Sequence, residues 1–199
     1  MKNIVELIRN NWRNGINPLW NRIVLWKNRI AVPNKMLIRG RIVCRIAKEG
    51  KLTFGNGCKI NSAKWANIIG GDTRTAFVVK PGAKIEIGNN VGISNSTFVA
   101  QTSIIIEEDV MIGGDCKIYD TDFHAIDYET RMEGFSNTRS FPVLIKKGAF
   151  IGAHSIVLKG VTVGKKSIVG AGSVVTKSIP DGEIWAGNPA QLIKKLEIK

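Results

Sequence analysis

Aliphatic residues recur at every sixth position late in the chain: Ile145, Ile151, Val157, Val163, Val169 and Val175. The fourth residue after each of the first five is small or β-branched (Ala149, Ser155, Val161, Ser167, Ser173). Glycine directly follows three of them, at Gly152, Gly164 and Gly170. A period of six suits a short strand and a tight corner, repeated. Each strand is too short to stand alone, so successive turns must stack and bury one continuous core.

The pattern extends upstream with slips. Ile87, Ile93 and Val99 share one register, while Ile106, Ile112 and Ile118 share another, one residue later. One extra residue is therefore expected within 101–105. Phe54 and Ile60 form an earlier, weaker pair. Ile118 and Ile145 are 27 positions apart, and the polar, aperiodic part between them reads as a loop thrown out of the stack at about 120–142. Long loops on a rigid scaffold are where binding and catalysis concentrate. Residues 1–35 carry helix-compatible spacing (Ile4, Leu7, Ile8; Ile23, Val24, Trp26), broken by Asn17-Pro18 and Pro33-Asn34, and predict one or two short helices. The strand stack then occupies 36–182. The tail, 183–199, has apolar residues at 192, 193 and 196 and predicts a short amphipathic helix. The fold class is all-β.

Composition narrows this picture. The 199 residues are 44% apolar, enough for one ordinary domain, and no stretch approaches a membrane span. The N-terminus lacks the apolar core of a signal peptide. The three cysteines (Cys44, Cys58, Cys116) show no CxxC spacing, so no disulfide framework is expected and a cytoplasmic setting follows. Of the net charge of +13, +9 falls in residues 1–50, interleaved with Trp12, Trp20 and Trp26. The plain reading is a segment that caps the open end of the stack. Contact with an anionic glycolipid or the inner membrane face is the alternative, and no nucleic-acid motif accompanies the charge.

The chain holds only two histidines. His124 lies in Tyr119-Asp120-Thr121-Asp122-Phe123-His124, at the start of the predicted loop, where imidazole is the natural proton acceptor near neutrality. Asp120 or Asp122 could orient it and stabilise its cation; a surface histidine without a role is the plain alternative. His154 falls on a corner of the repeat, where side chains face solvent. Two histidines and core-spaced cysteines do not make a catalytic metal site, so no metal is expected.

The run Ile151-Gly-Ala-His-Ser…Val163-Gly-Lys-Lys-Ser-Ile-Val-Gly-Ala-Gly-Ser-Val-Val-Thr-Lys-Ser-Ile-Pro, ending in Ala186-Gly-Asn-Pro-Ala, resembles the hexapeptide-repeat acyltransferases. Within them it looks most like the acetyltransferases of maltose, galactosides and surface polysaccharides, whose catalytic loop the Asp-Thr-Asp-Phe-His run matches. The resemblance covers roughly residues 85–197. It implies a left-handed parallel β-helix, a hand that the right-handed crossover rule would not have chosen. It further implies a homotrimer with acetyl-CoA, the co-substrate, bound between subunits and no tightly held cofactor.

By motif position, Ala153 and Ala171 would approach the pantetheine arm with their backbone. Thr176, Lys177 and Lys194 would meet the nucleotide end of the donor, with Lys165 and Lys166 nearby. Asn95 and Gln101 would line the acceptor pocket. Related sugar enzymes carry an acidic pair where this chain has Gln101-Thr102-Ser103. The implied reaction is acetyl transfer from acetyl-CoA to a saccharide hydroxyl, with His124 as general base. A sugar amine, an antibiotic or an amino acid is an alternative acceptor, and a non-catalytic scaffold a more remote reading. A γ-carbonic-anhydrase-type hydratase needs more histidines than the chain contains.

Overall fold

The computed structural model describes residues 16–134 and 138–197. Helix α1 (Asn17–Lys27) comes first, and the chain then winds in coils of three short strands. The first coil is β1 (Leu37–Gly40), β2 (Val43–Ile46) and β3 (Lys51–Phe54), and the second is β4 (Lys59–Ser62), β5 (Ala76–Val79) and β6 (Lys84–Ile87). The third is β7 (Gly92–Ser94), β8 (Thr97–Ala100) and β9 (Ser103–Ile106). The fourth runs β10 (Met111–Gly114), β11 (Lys117–Tyr119), an excursion carrying helix α2 (Tyr128–Met132), then β12 (Val143–Ile145). The fifth is β13 (Phe150–Ile151), β14 (Ile156–Val157) and β15 (Thr162–Val163). The sixth has β16 (Ile168–Val169), β17 (Val174–Val175) and a single bridge from Val163 to Ile179. First, second and third strands of the coils line up as three parallel sheets. The result is a left-handed β-helix with three sides, all-β as expected.

The hexad residues are the core. Ile112 pairs with Ile151 and Ile151 with Val169; Ile118 with Val157 and Val157 with Val175; Ile106 with Ile145 and Ile145 with Val163. Each is at most 3% exposed. At the upstream slip the register differs from the sequence pattern. Phe98, not Val99, pairs with Ile118 and is fully buried. The chain drops a residue after Ile93, where the pairing of β10 with β7 shifts, and regains length at the corner containing Gln101 and Thr102. The gain from this choice is aromatic: the Phe98 ring stacks on Phe77 at 5.1 Å, and Phe77 meets Phe54 edge-on at 5.4 Å.

The first coil is sealed by α1. Asn21 donates to Gly40 O (2.8 Å) and accepts from Ile42 N (3.1 Å), while Arg41 Nε donates to Asn17 Oδ1 (2.9 Å). The Asn21 side-chain amide thus satisfies backbone groups at the first turn of the stack, and Leu25 packs into the core below. The predicted helical residues Ile4, Leu7 and Ile8 lie outside the described ones. At the other end the expected C-terminal helix is a strand. β18 (Glu183–Gly187) joins the first sheet in parallel, and β19 (Ala190–Lys195) folds back antiparallel against it. Pairing with the open edge of β18 supplies backbone hydrogen bonds that outweigh a short, weak helical pattern.

Candidate active site

The excursion leaves the stack from a rigid stem. Asp120 is fully buried, and its carboxylate accepts from three successive amides of the neighbouring corner: Gln101 N (2.7 Å), Thr102 N (2.6 Å) and Ser103 N (2.7 Å). The Thr102 hydroxyl donates a fourth bond at 2.8 Å. Consecutive amides pointing into one concavity form an anion nest, and here the anion is a side chain of the next coil. The residues inserted at 101–102 build that nest. The stem is closed by Phe141 N donating to Asp120 O (2.9 Å), Asp122 N donating to Arg139 O (3.1 Å) and a bridge between Thr121 and Ser140. Asp122 forms an ion pair with Lys159 of the following coil. Farther out, Asp127 caps α2, and the Thr130 amide and hydroxyl bonds hold its carboxyl below the usual range.

On this stem Phe123 adopts a left-handed backbone (φ +65°), unusual for a bulky residue, with its ring edge-on to Tyr119 at 5.0 Å. That turn delivers His124, exposed, to a cleft of about 440 Å³ lined by Lys80, Pro81, Gln101, Phe123, His124 and Thr138. Gln101 links two hydroxyls beside the cleft: its amide donates to Thr138 Oγ1 (3.5 Å), and its carbonyl accepts from Thr121 Oγ1 (3.3 Å). His124 and Asp122 also border a second, smaller cavity of about 100 Å³.

The predicted site residues therefore separate. Gln101, Asp122 and His124 come together, and Asp120 lies beneath them. Asp120 gives its oxygens to the corner, so its part is to hold the loop and not to face His124 as the sequence suggested. Asn95 is a correction. It is fully buried, its amide donates to Asn67 O (3.3 Å), and a Cβ on Gly70 would lie 2.5 Å from its own. It anchors the loop of residues 63–75 and cannot line an acceptor pocket.

Ala153 and Ala171 stack on one edge of the prism, joined by Gly172 N to Ala153 O (2.8 Å). The packing there is so close that a Cβ on Gly152 would meet Ala171 N at 2.5 Å. Outside this corner, beyond Gly172, the space is open, which suits an extended arm lying along the backbone. Thr176 and Lys177 are exposed on the His124 edge, two coils on; exposed Lys194 projects from β19. Within one chain these donor-end residues occupy different edges. His154 sits on the Ala153 edge, exposed, with Nδ1 3.6 Å from an Asp115 oxygen, far from the His124 edge in the topology. Lys80, Pro81, Phe123, Thr138 and Lys159 escaped the sequence reading. Lys80 and Lys159 occupy repeat corners like any solvated lysine, and nothing in the spacing distinguishes them.

Residues 142–177 match the family model of the hexapeptide repeat of succinyl-transferase. The chain is 35% identical over 116 residues to a galactoside O-acetyltransferase of Escherichia coli K12, covering 58% of this chain and 56% of that one. It spans less than two thirds of the length of the curated relatives it matches. Among solved structures, a maltose O-acetyltransferase from Clostridium difficile 630 superposes with a TM-score of 0.59 at 25% identity, covering 92% of this chain and 83% of that one. A hexapeptide-repeat acetyltransferase of Vibrio cholerae, solved with acetyl coenzyme A, shares the fold (TM-score 0.57, 22% identity, 84% and 71% covered).

Proposed function

From a chain of the hexapeptide-repeat family, we propose an acetyl-CoA-dependent O-acetyltransferase that acts on a saccharide hydroxyl, the acceptor being a surface polysaccharide or its precursor. The observation that carries this reading is His124 at an open cleft of mixed lining, on a loop whose stem is pinned by Asp120. The galactoside and maltose enzymes named above support the acceptor class.

A sugar hydroxyl is too weakly acidic to attack a thioester unaided. His124 takes its proton as the oxygen adds to the acetyl carbonyl. The tetrahedral adduct collapses, the C–S bond breaks, and the proton returns to the departing thiolate, leaving an acetyl ester and free CoA thiol. No covalent acyl-enzyme is formed, so donor and acceptor must be bound together. Ala153 and Ala171 offer backbone to the pantetheine arm, while Thr176, Lys177 and Lys194 meet the phosphates. Because these residues lie on different edges of one chain, the complete site belongs to a homotrimer, between neighbouring subunits. Phe123 and Pro81 give the cleft an apolar wall for a sugar face; Gln101 and Thr138 give hydroxyl partners.

The test is titration of acetyl-CoA into wild type and His124→Ala, followed by transfer assays with saccharide acceptors. Donor binding in both, with transfer lowered about 10²–10⁴-fold only in the variant, is the expected result. Absence of acetyl-CoA binding in both overturns the reading.

A further inference from the structure

Helix α1 is amphipathic in the wrong sense for a soluble cap. Its inward side carries Asn17, Asn21 and Leu25, respectively 6, 3 and 2% exposed. Its outward side carries Leu19, Ile23 and Trp26 at i, i+4 and i+7, respectively 60, 42 and 76% exposed. Two amides that could have been solvated are spent on the first coil, and three large apolar side chains are left pointing out. Packing on the β-helix does not account for that choice.

The stripe ends at a basic cleft. Lys27 and Arg29, directly after Trp26, line a cavity of about 530 Å³ together with Lys48, Lys51 and one acid, Glu49. Among the described residues none of these four cations forms an ion pair. Apolar side chains flanked by a concentrated cation set match an anionic bilayer surface: hydrocarbon for the stripe, phosphate headgroups for the cleft. A second copy of the chain would bring the same positive field against itself. A nucleic acid would leave the stripe uncovered. No helix among the described residues is long and apolar enough to cross a membrane, so α1 would lie on the surface.

The geometry points to α1 and the adjoining Lys27/Arg29/Lys48/Lys51 cleft as a docking surface for anionic lipid, holding the β-helix at a membrane face. This inference stands on α1 and does not depend on the transfer chemistry.

The full chain should be sedimented with vesicles of phosphatidylcholine alone and of phosphatidylcholine with phosphatidylglycerol. Binding is expected only with the anionic lipid and should weaken with added sodium chloride. Ile23→Ser/Trp26→Ser, at exposed positions, should lower it at least about ten-fold. Lys48→Glu/Lys51→Glu should do the same by removing headgroup contacts. Thermal melts unchanged from wild type show that both variants are folded. Three results overturn the proposal: no preference for anionic vesicles at low salt, binding unaffected by either variant, or capture of inorganic phosphate without vesicle binding. A loss of self-association in Ile23→Ser/Trp26→Ser, with vesicle binding intact, also overturns it and assigns the stripe to a second copy.

Discussion

A buried carboxylate that satisfies three backbone amides cannot be exchanged for an amide without leaving donors facing donors. In Asp120→Asn one oxygen becomes an NH₂ group, yet Oδ2 alone accepts from Thr102 N, Thr102 Oγ1 and Ser103 N. The loss should be about 2–4 kcal/mol, read by urea denaturation, with transfer activity falling as the loop stem loosens. The same residue marks the limit of reading chemistry from spacing. An aspartate four positions before a histidine is equally compatible with orienting it or with binding the chain beneath it, and only the neighbouring coil decides. Asn95 fails for the same reason, since its burial comes from the loop at residues 63–75, far away in sequence. The place of His124 on the excursion was legible because the histidine stood at the point where the period broke. The cysteines make a second prediction at this scale. Burial pushes the Cys44 thiol up to about 12, and it raises Cys58 and Cys116 as well. At about pH 8 none should react with a disulfide reagent in the native protein, while all three react after denaturation. Since the unfolded thiols ionise first, stability should decline as pH rises from the ordinary thiol value of 9.0 toward about 12.

At the level of coils and corners, glycines record how closely adjacent turns approach. A Cβ on Gly152 would sit 2.5 Å from Ala171 N, whereas one on Gly92 would meet nothing nearer than Met111 Cγ at 3.9 Å. Gly152→Ala should therefore cost about 1–3 kcal/mol through displaced backbone, and Gly92→Ala should change stability by less than about 1 kcal/mol. Parallel thermal melts compare the two, and equal effects would mean the Ala153/Ala171 corner is looser than it looks. The period of six revealed the coils because each hexad repeats one physical demand, an inward aliphatic residue and a small one at the corner. It misplaced the Val99 register because aromatic stacking of Phe98 on Phe77 compensates for a shortened side, and a search for aliphatic residues does not see rings. It misread the tail because pairing with the edge of β18 lies outside any local pattern.

For the whole molecule the decisive fact is that one chain does not gather all the predicted donor contacts. Thr176 and Lys177 share an edge with His124, Ala153 and Ala171 occupy another, and Lys194 stands on β19. The threefold assembly proposed above would resolve this, because the edge of one subunit can face a different edge of its neighbour. Light scattering should then give three times the chain mass. A stronger test uses two inactive variants. His124→Ala lacks the base but keeps the Ala153/Ala171 corner, while Ala171→Trp, at an exposed corner position, keeps the base and fills the space proposed for the pantetheine arm. Each alone should transfer poorly. Co-expressed in equal amounts they form mixed trimers in which about a quarter of the interfaces pair an intact histidine with an intact Ala153/Ala171 corner from the neighbour. Activity should return to a comparable fraction of wild type. If base and corner serving one site came from the same chain, no mixed interface would be intact and activity would stay at the level of the separate variants.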